Sequence, residues 1–159
     1  MRLYIKQKVF ALKQKFDVTD EMENPRYHCE SKLISVGRQL TITDINGNEV
    51  AFVKQKVLSI MPRFFVEVGG TQVAEIVKKI SLLKPKYEIA GVNWKIEGDY
   101  MSHDYRIVEN GQIIAAIHKK WLSWGDAFEL DIADSANEVM ALAVILAIDT
   151  VMDAQSDTH

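Results

Sequence analysis

The chain has 159 residues, 48% apolar and 26% charged, with a formal net charge of −3. That is the balance of an ordinary globular domain long enough for one sizeable core. The acidic excess argues against a nucleic-acid polyelectrolyte, because such domains carry a basic surplus.

The opening MRLYIKQKVF has no apolar signal core and no small-residue cleavage site, which points to a cytoplasmic protein. From there the chain reads as strands. Leu3–Ala11, Lys15–Thr19, Leu40–Ile45, Val50–Leu58, Phe64–Val68, Val73–Ile80, Tyr87–Ile89, Val92–Ile96, Tyr105–Val108, Ile113–His118 and Phe128–Ile132 are rich in Val, Ile, Phe, Tyr and Thr. Asn46-Gly47, Gly69-Gly70 and Asn110-Gly111 are hairpin signals, because two-residue type I′ turns need positive φ.

The turns recur. Glycines stand at 47, 70, 91 and 111, and three of the following segments align: GNEVAFVKQKV, GTQVAEIVKKI and GQIIAAIHKKW. This predicts a meander of hairpins built on a two-stranded unit. The aligned segments also carry lysine doublets, Lys54 and Lys56, Lys78 and Lys79, Lys119 and Lys120, with Lys84 and Lys86 as a fourth. Lys56, Lys79 and Lys120 are equivalent in the repeat, so they belong to one level of the meander. Lys78 and Lys119, one residue earlier, face the other way. The pattern leaves open which set points outward. Lysines at one level suit an anionic headgroup or phosphate, and they also suit a plain solvated exterior.

Elsewhere chemistry is hard to find. His28, His103, His118 and His159 show no metal-ligand spacing. Cys29 is the lone cysteine, which precludes an internal disulfide. It adjoins His28, but strand neighbours point to opposite faces, so neither a metal site nor a nucleophile is expected there. Asp131, Asp134 and Asn137 lack the alternation and central Gly of a calcium loop. No nucleophile-elbow, dinucleotide or Walker pattern occurs. No catalytic residue, metal or cofactor is therefore expected. Trp121 and Trp124, beside a turn, suit either membrane contact or closure of a barrel end. Met61-Pro62-Arg63-Phe64-Phe65 mixes base and aromatics in the same way.

The last element is distinctive. VMALAVILAI, from Val139 to Ile148, is apolar without a break and ends at Asp149. Ten residues at about 1.5 Å each reach about 15 Å, half of the roughly 30 Å of hydrocarbon, so no transmembrane span is expected. Ser135-Ala136-Asn137-Glu138 matches an S-x-x-E capping box, predicting a helix over about residues 136–153. A helix apolar on every side must be enclosed by protein. Closing the meander into a barrel removes its edges and creates an interior that needs filling. The expected fold is mainly β: one domain over residues 1–159, a closed antiparallel barrel of ten to twelve strands enclosing the C-terminal helix.

The opening LYIKQKVF, the Asn-Gly hairpins with trailing lysines and the ending FELDIADSANEVMALAVILAIDTVMD together resemble the LURP-one-related proteins, including small bacterial members of the YxjI type, within the tubby C-terminal-like superfold. The resemblance implies a closed antiparallel barrel of about twelve strands threaded by the helix. It also implies kinship with tubby domains, which bind phosphoinositide headgroups, and with phospholipid scramblases. No tubby headgroup motif can be matched residue by residue. The cysteine-rich acylation segment of the scramblases has no counterpart, since Cys29 stands alone. The expected function is a non-enzymatic binding or scaffold module that contacts anionic lipid or a phosphorylated small molecule through Lys56, Lys79, Lys120, Lys78 and Lys119, without nucleic acid. The alternatives are an enzyme with its site at a barrel mouth and a protein-interaction module.

Overall fold

The computed structural model describes residues 1–6, 15–34, 37–56, 60–79, 81–83 and 86–156. Among the described residues, twelve strands precede a long helix: β1 (Arg2–Lys6), β2 (Lys15–Thr19), β3 (Pro25–Ile34), β4 (Gly37–Asp44), β5 (Glu49–Gln55), β6 (Arg63–Val68), β7 (Thr71–Lys79), β8 (Lys86–Ala90), β9 (Lys95–Asp99), β10 (Asp104–Glu109), β11 (Gln112–Leu122), β12 (Gly125–Ile132) and α1 (Glu138–Ser156). A 3-10 turn (Tyr100–Ser102) links β9 to β10.

All strands belong to one sheet, ordered β8-β7-β6-β5-β4-β3-β2-β1-β12-β11-β10-β9. Every ladder is antiparallel, and each joins strands consecutive in the chain except β1–β12, where Arg2–Lys6 pairs with Ala127–Asp131. That pairing wraps the meander into a nearly closed barrel. The ladder is missing between β8 and β9, which form the sheet's two edges. Between β1 and β2 the described residues pair at Tyr4↔Thr19 alone.

The enclosed element is α1. Residues 141–148 are all at most 1% exposed. They pack in one core with the inward rows of the wall, among them Leu3, Ile5, Ile42, Val53, Phe64, Ile76, Ile107, Ile117 and Leu130. Every residue of this stretch meets wall, so the helix needs no polar face.

The helix starts differently from the predicted capping box. Asn137 is the cap: its Oδ1 accepts from the Met140 amide at 3.0 Å, and its carbonyl accepts from Ala141 at 2.9 Å. Glu138 is thus the first helical residue, too early to reach back to a cap. Its Oε1 instead accepts from the Tyr27 hydroxyl at 2.6 Å, which ties the helix start to β3.

Most predicted strands are present with shifted ends. Residues 7–11, 57, 58 and 80 of those predictions lie outside the described residues. No range was predicted for β3, but His28 and Cys29 are strand neighbours on it as expected, facing opposite sides. Its inward side chains, Tyr27 and Cys29, alternate with Arg26, His28 and Glu30, and Pro25 stands at its first position, where a missing amide is tolerated. The segment from 92 to 94 is turn, and β9 begins at Lys95. Asn110 (φ +50) and Gly111 (φ +80) form the predicted two-residue turn. Asn46-Gly47 does not. There the Asp44 carboxylate accepts from the amides of Asn46 and Asn48, both at 2.9 Å, and shapes a longer loop.

Leu142→Ala should cost about 3 kcal/mol in denaturant unfolding, since the enclosed site has no room to collapse. Leu142→Asp should give no cooperative unfolding transition at all, because a charge there has neither partner nor solvent.

Candidate functional site

Antiparallel alternation puts the connections that follow odd-numbered strands at one end of the barrel. The lysines of the repeat sit at this end. On β7, Ala74 and Ile76 face the core and Lys78 continues their inward row; on β11, Ile117 faces the core and Lys119 continues its row. Lys79 and Lys120 therefore lie on the outer face, and Lys56 directly follows β5. The three equivalent lysines share an end but not a side. β5 and β7 are separated by one strand, whereas β11 lies beyond the β8–β9 seam. Lys84 lies outside the described residues.

Their surroundings differ. Lys79 is exposed, with Nζ 3.5 Å from Glu88. Lys56 is also exposed. Lys119 reaches the mouth of the barrel near His103. Lys120 is committed to a carboxylate: its Nζ donates to Glu129 Oε2 at 2.6 Å.

Glu129 is the centre of a buried polar cluster on the outer wall, and it is only 4% exposed. The register places Tyr4 and His118 on either side of it, on β1 and β11. The Tyr4 hydroxyl donates to Glu129 Oε2 at 2.8 Å, and His118 Nε2 lies 3.0 Å from Oε1. Trp124 covers the cluster. Its ring meets Tyr4 edge-on at 6.3 Å, its indole N–H donates to the Glu21 carbonyl at 3.2 Å, and Lys6 lies over its face at 5.4 Å. Burial pushes the Glu129 carboxyl up, but hydrogen bonds from Lys120 and Tyr4, with the charges of Lys120 and His118, outweigh it and hold the group below its ordinary value. Burial, then Glu129, pushes the Tyr4 phenol up to about 12. The cluster is saturated with partners, so its chemistry is that of a clamp joining β1, β12 and β11.

The two tryptophans separate. Trp124 closes over Tyr4 and not over the helix. Trp121 is 77% exposed at the lysine-bearing end. That end carries other bare apolar residues: Ile60 in the β5–β6 connection and Leu82 and Leu83 in the β7–β8 connection are essentially fully exposed. These two connections are neighbours, because β5, β6, β7 and β8 pair in sequence. At the ladder end beside Leu82 and Leu83, Lys79 stands directly opposite Lys86.

At the same end the helix acid, Asp149, is 4% exposed, and His103 Nδ1 lies 3.1 Å from its Oδ1. Burial, then Lys119, lowers the His103 imidazole below its ordinary value. The Tyr105 hydroxyl is buried nearby and finds no hydrogen-bond partner among the described residues. Cys29 is 3% exposed, and burial raises its thiol well above the ordinary range. Where β1 and β2 diverge, a polar cleft of about 600 Å³ opens between Lys6, Lys15, Asp17, Glu23, His28 and Glu30. Its polar groups are already paired: Lys6 lies 2.6 Å from Glu23, and His28 Nδ1 lies 2.6 Å from Asp17 Oδ1. Among the described residues, no cluster of His, Cys, Asp and Glu could hold a metal, and no helix is long and apolar enough to cross a membrane.

The family model described as LURP-one-related matches residues 1–149. The chain belongs to the LURP-one-related family. It is 33% identical over 157 residues to the "Uncharacterized protein YxjI" of Bacillus subtilis (strain 168), an alignment covering 99% of this chain and 97% of the relative. The X-ray structure of a protein from Arabidopsis thaliana superimposes with a TM-score of 0.67 at 15% identity, over 95% of this chain and 90% of that one. That likeness shows the fold alone.

Lys120→Met should destabilise by about 2 kcal/mol, because it strands a buried carboxylate; this is less than for a wholly buried pair, since Lys120 is one-third exposed. Lys79→Met should change stability by less than about 0.5 kcal/mol. The folded Glu129 lies below its ordinary value of 4.5, so its contribution is present above that value and disappears as pH falls through the folded one. Thermal unfolding from pH 6 to pH 3 should therefore show a smaller acid loss in Glu129→Gln than in wild type.

Proposed function

We propose that this protein is a non-enzymatic binding module that docks on anionic lipid surfaces with the end of the barrel bearing the β5–β6 and β7–β8 connections. The observation that carries the reading is the pairing of bare apolar tips with lysines there. Ile60, Leu82 and Leu83 stand fully in solvent, and Lys56, Lys78, Lys79 and Lys86 flank them. Large side chains fully in water at two neighbouring tips mark an interaction surface more than a random exterior. Apolar insertion with a cationic surround is the chemistry of interfacial attachment, where buried apolar area adds to attraction for anionic headgroups.

The dimensions agree. Leu82 is three positions beyond Lys79, a reach of at most about 10 Å at roughly 3.3 Å per residue. A leaflet's headgroup layer is about 5–8 Å thick, half the difference between the full bilayer and its hydrocarbon core. Leucines at the acyl boundary and lysines among the headgroups thus fit one pose. Each lysine near such a surface contributes about 1 kcal/mol. Trp121, at the same end, is a further contact. The proposed place of action is the cytoplasmic side, whose leaflet carries the anionic lipid.

Co-sedimentation with phosphatidylserine-containing vesicles tests this. Wild type should be retained at low ionic strength and released as salt shortens the screening length. Lys56→Gln/Lys79→Gln should weaken retention about 30-fold, the equivalent of two lysine contacts. Leu82→Glu/Leu83→Glu should abolish it without lowering the melting temperature. Failure of wild type to bind at low salt would overturn the reading. Equal retention by all three proteins would move the site away from these tips.

A further inference from the structure

The two hairpins that carry the bare apolar tips share a sequence pattern. Residues 56–63 read KVLSIMPR, and residues 79–86 read KISLLKPK. In each, a lysine is followed seven positions later by a second cation, a proline stands immediately before that cation, and Ile60 or Leu83 holds the same place between them. The sheet sets the two cations of each hairpin face to face. Lys79 and Lys86 are partners in the β7–β8 ladder. The β5–β6 ladder runs to Gln55↔Phe64, and the Lys56 amide then donates to the Arg63 carbonyl at 2.9 Å, which carries the register one pair further. All four cations lie on the outer face, because their neighbours Tyr87 and Phe64 face the core. Like charges directly opposite in a ladder destabilise it. The wall offsets one charge of each pair: Arg63 donates to Glu75 at 3.0 Å, and Lys79 Nζ lies 3.5 Å from Glu88. Lys56 and Lys86 are exposed and make no ion pair among the described residues. The other described hairpins at this end are built otherwise. β3–β4 sets Leu33 opposite Arg38, β9–β10 sets Asp99 opposite Asp104, and β11–β12 sets Lys120 opposite Ala127. A facing cation pair thus accompanies fully exposed apolar tips at both hairpins and occurs at no other described hairpin of this end.

We propose that each facing pair, Lys56 with Arg63 and Lys79 with Lys86, clamps the phosphate of one anionic phospholipid, while the apolar tip of the same hairpin meets that lipid's acyl region. This rests on the docking reading above and gives it two discrete subsites in place of a diffuse attraction. The dimensions fit. Residues directly opposite in an antiparallel ladder have Cβ atoms about 4.5–5.5 Å apart. Two charge-assisted hydrogen bonds of about 2.7–2.9 Å then reach one phosphate from both cations. A phosphate held there removes the repulsion within the pair, so the strain of the empty hairpin adds to the affinity. The tips decide the source of the phosphate. A soluble phosphate would satisfy the cations and leave Ile60, Leu82 and Leu83 in water, whereas a phospholipid satisfies both.

The test uses charge-neutral double variants of the whole protein on phosphatidylserine-containing vesicles. Lys86→Gln/Glu88→Gln and Lys56→Gln/Glu67→Gln each remove one cation and one acid, so the net charge is unchanged while one clamp is broken. Each should weaken retention about 5-fold, the equivalent of one lysine contact. Retention equal to wild type in both would overturn the clamps and leave a diffuse attraction, with the docking reading intact. Wild type that does not bind at low salt would remove the docking reading and the clamps together. Glycerophosphate at millimolar concentration should not release bound wild type; release at constant ionic strength would assign the pairs to a soluble phosphate and overturn the lipid assignment. Should one double variant fold poorly, the other decides alone.

Discussion

A helix without a polar face has one stable place in water, inside protein, and the architecture of this chain follows from that. Residues 141–148 leave no side of α1 for solvent. Enclosing a helix of roughly 10 Å diameter demands a wall many strands around, with alternate residues facing inward. The twelve strands supply it, and the β1–β12 ladder brings the two ends of the strand series together. The helix comes last in the chain, so the wall has no filler until the final segment is present.

The consequence for function is geometric. An interior filled by a helix is not available for a ligand, which leaves the rims, the outer wall and the breaks in it as the places where a ligand could sit. Each described feature follows this rule. The lysines and bare leucines lie at one rim, and the seam and the β1–β2 divergence are the interruptions in the wall. The Glu129 cluster, on the outer face, is closed by Trp124 and serves to hold three strands together.

How much of this was legible in the sequence depended on whether the signal was local. The unbroken apolar run, the Gly-centred turns and the two-residue alternation are local, and they announced a barrel around a helix. The equivalence of Lys56, Lys79 and Lys120 was also legible, and it placed them at one end. Their spread around the circumference was not, because it depends on where the sheet closes. The extent of β3 was not legible because its inward residues, Tyr27 and Cys29, stand among charges and include no β-branched residue. The capping box misled because Asn137 competes for the same role two residues after Ser135. Glu129 looked like any acid in a strand. Its partners are Tyr4, 125 positions away, and Lys120 and His118 across the next ladder, and no short-range pattern announces a contact of that kind.

The central claim, that the enclosed helix and the wall form one cooperative unit, is tested most directly by native-state hydrogen exchange of the α1 amides under increasing denaturant. Residues 141–148 should exchange only by global unfolding, with a protection free energy equal to that of the β12 and β1 amides and the same denaturant dependence. Helix amides that exchange by a smaller, separate opening while the strands stay protected would contradict it, since the barrel would then stand without its core.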